Sequence, residues 1–388
     1  MKKIFYVLFL LAFMCCSDDD MGRPVDGGNT GTNTGTNMGG DTGGNTGGDT
    51  GGNSGGGGDT MTDDKIDFDL GISFPPVADE EQRTFTAPLL DELNVEIIRI
   101  GENWSFREPE EGNFQWPSLD ARINWAETNG IDVLLTIQSN GPDWACSDLQ
   151  NDKSCVFKDN EKFRNYIEQL LQRYPNRIAK IQFGNEWQSD FWYIGSEQEF
   201  VAANNIVYDA IQQFSPDTEF VLGGFTAISL RFLAGCNGLI DEFYDDEGFL
   251  YDRAFLDEDC SSVEITEIMD RIDYVLQNAK YNLLDIHLYD DVENWLIYYE
   301  NFNNMVQKPI IITEFGGPNV NLEPISEEYQ SERLKLYVEA IDSMGVEEAY
   351  FFKLVEGNAN PAHSESGLIN NPELTKKMNY FTFKELND

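Results

Sequence analysis

The chain has 388 residues, of which 69 are Asp or Glu and 26 are Lys or Arg, giving a formal net charge of −43 at pH 7. Such a surface has little with which to neutralise phosphates, which argues against a nucleic-acid partner, and it weakly disfavours polyanionic substrates. Hydrophobic residues make up 41% of the chain, enough for a sizeable core once the amino-terminal segment is set aside.

Met1-Lys2-Lys3 is a short positive start, and Ile4 to Met14 is an almost unbroken apolar run. The run is too short to span a bilayer and has the length of a signal-peptide core. It ends in Cys15-Cys16-Ser17-Asp18-Asp19-Asp20, which resembles a bacterial lipoprotein signal of the Bacteroidetes surface type. Residues 1–16 are therefore expected to be the signal region, with Cys16 the lipidated first residue. The implied location is the outer membrane, at the cell surface; an ordinary signal peptide with incidental cysteines is the alternative. Residues 17–64 are mostly Gly, Asn, Thr and Asp. Such a segment buries too little to repay its ordering entropy and is expected to be a flexible tether. Residues 65–388 are left as one catalytic domain.

Within that domain, apolar β-rich runs fall at Ile66–Phe74, Val95–Ile100, Val133–Ile137, Ile178–Phe183, Phe220–Leu222, Leu283–His287, Pro309–Thr313 and Ala349–Leu354. Amphipathic stretches between them predict helices over Glu80–Leu93, Leu119–Thr128, Glu161–Arg173, Glu197–Phe214, Glu264–Asn278, Val292–Phe302 and Glu327–Ser343. Regular alternation of strand and helix argues for a parallel α/β fold, and eight strands at this length point to a (β/α)8 TIM barrel. No Gly-x-Gly-x-x-Gly follows the first strand, so an open dinucleotide-binding sheet lacks its fingerprint. The long connection from Gly223 to about Val263 is rich in aromatics and is expected to be an ordered subdomain walling part of the cleft. Its acidic run at 241–248 lacks the ligand spacing of a calcium loop and is expected to be a solvated face; no metal is assigned. The four remaining cysteines suit disulfides in an exported protein, with proximity suggesting Cys146 to Cys155 and Cys236 to Cys260. A zinc site is the rival, but no C-x2-C pair is present and no histidine lies near.

Polar and aromatic residues gather where the apolar runs end: Arg99 to Trp104, Gln138 to Asn140, Gly184 to Trp187, His287 to Tyr289 and Glu314 to Gly317. In a barrel these positions share one face, so Glu186 and Glu314, distant in sequence, would meet across the mouth. Two carboxyl groups facing a glycosidic bond are what its hydrolysis requires.

Ile181-Gln182-Phe183-Gly184-Asn185-Glu186 and Ile310-Ile311-Ile312-Thr313-Glu314-Phe315-Gly316 resemble the acid/base and nucleophile motifs of glycoside hydrolase clan A. The segment from Ile98-Arg99-Ile100 through Trp104, Glu108-Pro109 and Gly112-Asn113-Phe114 is similar to families 39 and 5 of that clan. The resemblance implies a retaining glycosidase with Glu186 as acid/base, kept protonated by less charged surroundings, and Glu314 as nucleophile. It implies that Asn185 binds the sugar 2-hydroxyl, that Arg99 and Tyr289 hold Glu314, and that His287 lies near Glu186 or the substrate. Gln138, Trp104, Trp144 and Trp187, with Trp192 and Tyr193, are candidates for substrate contact, each equally open to a core role. Trp187 stands where the clan often has proline, and Phe351-Phe352-Lys353 where it often has tryptophan. No cofactor is implied. The expected partner is a carbohydrate, the expected state a monomer, and the expected action endo cleavage of a β-glucan-like polymer. An exo-acting xylosidase or galactosidase type, and an inactive glycan-binding surface lipoprotein, are the alternatives.

Overall fold

A computed structural model describes residues 66–245, 248–306, 308–317, 325–357 and 363–388. The signal region, Cys16 and the tether lie outside the described residues. Eight parallel strands close into a barrel: β1 (Asp69–Ser73), β2 (Ile97–Glu102), β3 (Asp132–Ile137), β4 (Lys180–Phe183), β5 (Glu219–Phe225), β6 (Leu283–Tyr289), β7 (Ile310–Gly316) and β8 (Glu348–Phe352). β1 closes the ring by pairing with both β2 and β8, Ser73 opposite Arg99 and Ile72 opposite Phe351. Each expected strand coincides with an observed one, and the domain has the expected (β/α)8 architecture.

The helices Glu80–Glu92, Pro117–Thr128, Asn160–Arg173, Glu197–Phe214, Val263–Asn278, Trp295–Met305 and Glu327–Met344 form the outer layer. Their starts are written in the sequence. Asp79, Ser262 and Ser326 each accept a backbone N–H of the first turn, and Ser196 with Glu199 forms a reciprocal capping box. Ile98, Ile100, Leu135, Ile181, Phe220, Leu284, Ile286 and Ile312 join helix residues such as Leu90, Ile167, Val207 and Val338 in one buried cluster.

The other face of the strands fills the barrel in layers, because strand side chains alternate with period two. Ile97, Leu134, Val221, Leu283, Ile311 and Tyr350 make a separate apolar layer. Two residues further along the same strands stand Arg99, Thr136, Asp285 and Thr313, with Gln182 and Ser73 from the neighbouring strands, all fully buried. An apolar plug thus supports a polar floor at the carboxyl-terminal end of the strands.

The described residues of the connection after β5 carry regular structure. The connection holds helix Ala227–Cys236, the short hairpin Phe243–Tyr244 with Leu250–Tyr251, and helix Arg253–Asp259, packed on Phe232, Phe243, Tyr251 and Phe255. Cys236 and Cys260 are bridged across it. Cys146 and Cys155 close a second hairpin, Cys146–Gln150 with Cys155–Phe157, after β3. Both disulfide pairings match those expected, and among the described residues no group of acidic, His or Cys side chains could hold a metal.

Candidate active site

Glu314 lies in the last turn of β7, buried beneath the mouth. Arg99 from β2 donates through Nη1 to its Oε1 at 2.5 Å, and the Tyr289 hydroxyl from β6 donates to its Oε2. Arg99 is itself fixed: Nε donates to Thr136 Oγ1 at 2.9 Å, and Nη2 to Gln182 Oε1 and Asn185 Oδ1, both at 2.8 Å. Asn185 accepts with its oxygen, which leaves its amide N–H groups as donors for a ligand. Burial pushes the Glu314 carboxyl up, but His287, Arg99 and Tyr289 outweigh it and hold the group below the usual carboxylate range.

Glu186 follows β4 with a backbone φ of +43°, two residues after Gly184 at +74°. A side-chain-bearing residue in the left-handed region costs on the order of 1–3 kcal/mol, a strain found where function fixes the backbone. The turn carries Glu186 to His287, whose Nδ1 lies 2.8 Å from Glu186 Oε1. The other ring nitrogen, Nε2, lies 3.2 Å from Asp285 Oδ2 and 3.8 Å from Glu314 Oε1. One imidazole therefore stands between the two glutamates. Register explains the meeting: a shift in the β6–β7 pairing between Ile286 and His287 sets His287 opposite Glu314. Burial opposes the charge on His287, yet Glu314, Asp285 and Glu186 outweigh it and raise the imidazole to about 10. Arg99 and His287 both lie near Glu314, and the same His287 meets Glu186.

Beside this centre Ala227, Tyr289 and Phe352 form a small apolar wall with half-buried Phe74. The Phe74 ring covers the Arg99 guanidinium, 4.6 Å from centroid to Cζ. His363, the other histidine, lies against Tyr289 with ring centroids 4.3 Å apart. Phe74, His363 and Asp285 were not singled out in the sequence; the first two end or follow strands without a polar cluster, and the third sits inside one.

Two family models match the chain: a glycosyl hydrolase catalytic core over residues 241–381, and a beta-galactosidase model over residues 74–152. The first includes His287, Tyr289 and Glu314, the second Phe74, Arg99 and Gln138. The chain resembles the clan A glycoside hydrolases. Solved structures agree in fold. An exo-β-1,4-mannosidase from an Opitutaceae bacterium superposes with a TM-score of 0.57 at 15% identity, over 82% of this chain and 59% of that one. A family 39 glycoside hydrolase from Bacteroides cellulosilyticus gives 0.56 at 14% identity, over 83% and 64%. A family 10 endoxylanase from a sugarcane soil metagenome gives 0.54 at 14% identity, over 83% and 97%. The chain thus spans about three fifths of the length of the first two. No curated protein matches it by sequence.

Seen in the frame of clan A, the structure gathers Arg99, Asn185, Glu186, His287, Tyr289 and Glu314 and disperses most of the aromatic candidates. Trp104 is fully buried among Trp144, Phe157, Phe163 and Tyr166, with its indole N–H donated to Glu108. Trp187 is equally buried, stacked on Phe200 and donating to the Gly223 carbonyl. Neither has a face left for a sugar, and Trp192 and Tyr193 are likewise core residues. Side-chain direction at a strand end depends on the local turn, which the sequence does not reveal. Trp144 remains half-buried, and Gln138 ends β3 nearly buried.

Proposed function

We propose that the chain is a retaining β-glycosidase in which Glu314 attacks the anomeric carbon and Glu186 serves as acid/base. The observation that supports this most is the pair of buried glutamates at the ends of β4 and β7 flanking one imidazole, one of them held ionised by Arg99 and Tyr289. In the first step Glu186 donates its proton to the glycosidic oxygen while Glu314 forms a bond to the anomeric carbon and the aglycone leaves. In the second, Glu186 takes a proton from water, which displaces Glu314 with net retention. Arg99 keeps the nucleophile unprotonated, and the amide of Asn185 is placed to bind the sugar 2-hydroxyl. Glu314→Gln should remove turnover while leaving the fold intact; a residue of more than about a tenth of wild-type activity would exclude Glu314 as nucleophile.

Endo cleavage of a β-glucan-like polymer remains our reading of the substrate. The exo alternative draws support from the exo-β-1,4-mannosidase and from a β-xylosidase of Caulobacter crescentus among the similar structures. Product lengths released early from β-glucan, xylan, mannan and galactan decide between them: a ladder of oligomers for endo action, a single small sugar for exo. We further propose that Cys16 anchors the enzyme to the outer membrane, with its barrel facing polymeric carbohydrate outside the cell.

A further inference from the structure

Asp285 is a buried charge to which the proposed reaction gives no part. It precedes His287 by two residues on β6 and is fully buried. Oδ1 accepts the Thr313 backbone N–H at 2.8 Å; Oδ2 accepts the Thr313 hydroxyl and the Gln182 amide, both at 2.6 Å, and faces His287 Nε2 at 3.2 Å. The barrel is hollowed to admit this pair. A Cβ on Gly224 of β5 would lie 2.3 Å from His287 Nε2 and 2.5 Å from Asp285 Oδ2. A carboxylate inside a barrel costs several kcal/mol of desolvation unless its surroundings compensate, and an apolar residue there would have extended the plug below.

Both ring nitrogens of His287 face carboxyl oxygens, Nε2 toward Asp285 and Nδ1 toward Glu186 Oε1. A neutral imidazole donates at one nitrogen only; the imidazolium donates at both. The groups facing the ring are Asp285 on β6, Glu186 after β4, and Glu314 and Thr313 on β7, with Arg99 of β2 behind Glu314. With His287 charged, Arg99 and His287 balance Asp285 and Glu314, so a protonated Glu186 leaves this cluster neutral.

We propose that Asp285 is a positioning residue of this site: by accepting from His287 Nε2 it keeps the ring a donor from Nδ1 to Glu186 Oε1, and so directs the Glu186 proton to its other oxygen. This rests on the reading of Glu186 as acid/base. The same arrangement serves the second step. Once Glu314 is esterified by the sugar its charge is gone, Arg99 and His287 outweigh Asp285, and Glu186 is favoured as the carboxylate that takes a proton from water.

The chain has two histidines, so nitrogen-15 spectra of its imidazoles can follow each ring in the whole protein. In the wild type His287 should keep both ring protons from about pH 5 to about pH 8.5, a range in which a free histidine titrates. In Asp285→Asn the ring should titrate within that range, and kcat should fall roughly 10- to 100-fold with KM changed much less, as for other partners that act through a neighbour. A wild-type His287 that titrates near 6.5 overturns the proposal even if Asp285→Asn does not fold. So does an Asp285→Asn protein with unchanged spectra and pH–rate profile. The spectra need no turnover: an active Glu314→Gln protein would defeat the assignment of Glu314 as nucleophile and leave the imidazolium standing, whereas a neutral wild-type His287 beside an inactive Glu314→Gln protein would defeat the positioning role alone.

Discussion

Glu186 and Glu314 are both buried, yet their neighbours differ, and that difference fits the roles proposed for them. Glu314 has a guanidinium and a phenol on its two oxygens, so its negative charge is stabilised before substrate arrives. Glu186 has an imidazole on one oxygen. Removing each should therefore give distinct failures. Glu186→Ala should be slow on natural glycans but rescued by azide on an activated aryl glycoside, yielding the β-glycosyl azide; rescue at Glu314, or an α-azide, would exchange the roles. Gly224→Ala should lower activity at least tenfold with little loss of secondary structure, because its methyl group would enter the space shared by His287 and Asp285. A Gly224→Ala enzyme with wild-type rates would show that the pair is free to move. Arg99, Asn185, Glu186, His287, Tyr289 and Glu314 could be singled out because each ends, or stands within, an apolar run at the barrel mouth. Asp285 and Gln182 could not, since a polar residue within a strand run reads the same whether it faces lumen, helix or water.

At the scale of elements, the strand positions were legible because both faces of a barrel strand are covered, so β2, β3, β6 and β7 read as apolar runs. The helices were legible through their amphipathic period. What stayed hidden was the layering, in which Arg99 stands two residues above Ile97 and Asp285 two above Leu283, because alternation shows only once the closure of the ring is known. The subdomain after β5 was seen as ordered through its aromatics and cysteines, but its helices were too short to declare themselves. Arg231 in helix Ala227–Cys236 fastens it to the site, donating to the Tyr244 carbonyl at 2.9 Å and to the Tyr289 carbonyl at 2.5 Å. The Cys236–Cys260 bridge closes a loop with a sequence separation of 24, for which chain entropy gives about 3 kcal/mol of stabilisation. Replacing both cysteines by Ser should cost about that much in denaturant unfolding and raise hydrogen exchange mainly between residues 226 and 262. Exchange rising evenly over the whole barrel would mean that the subdomain is not a separate unit of stability.

At the scale of the whole molecule, charge sets two further expectations. His287 is raised to about 10 in the fold and titrates near 6.5 when unfolded, so its contribution is complete below about pH 6.5 and lost as pH rises toward 10. Glu314 is lowered in the fold, so its contribution is present above about pH 4.5 and lost as acid protonates it. Repulsion among 69 acidic residues grows with pH as well. Thermal midpoints measured across pH should therefore peak between about 4.5 and 6.5, and a maximum above pH 8 would contradict this balance. The second expectation concerns place. No helix among the described residues is long and apolar enough to cross a membrane; the proposed anchor is the lipid on Cys16. Two or three acyl chains hold a protein firmly where one does not. Cys16→Ser should therefore move the protein from the membrane to the soluble fraction with turnover unchanged. Release by Cys15→Ser instead would shift the lipid to Cys15, and retention of both variants in the membrane would end the proposal of a lipid anchor.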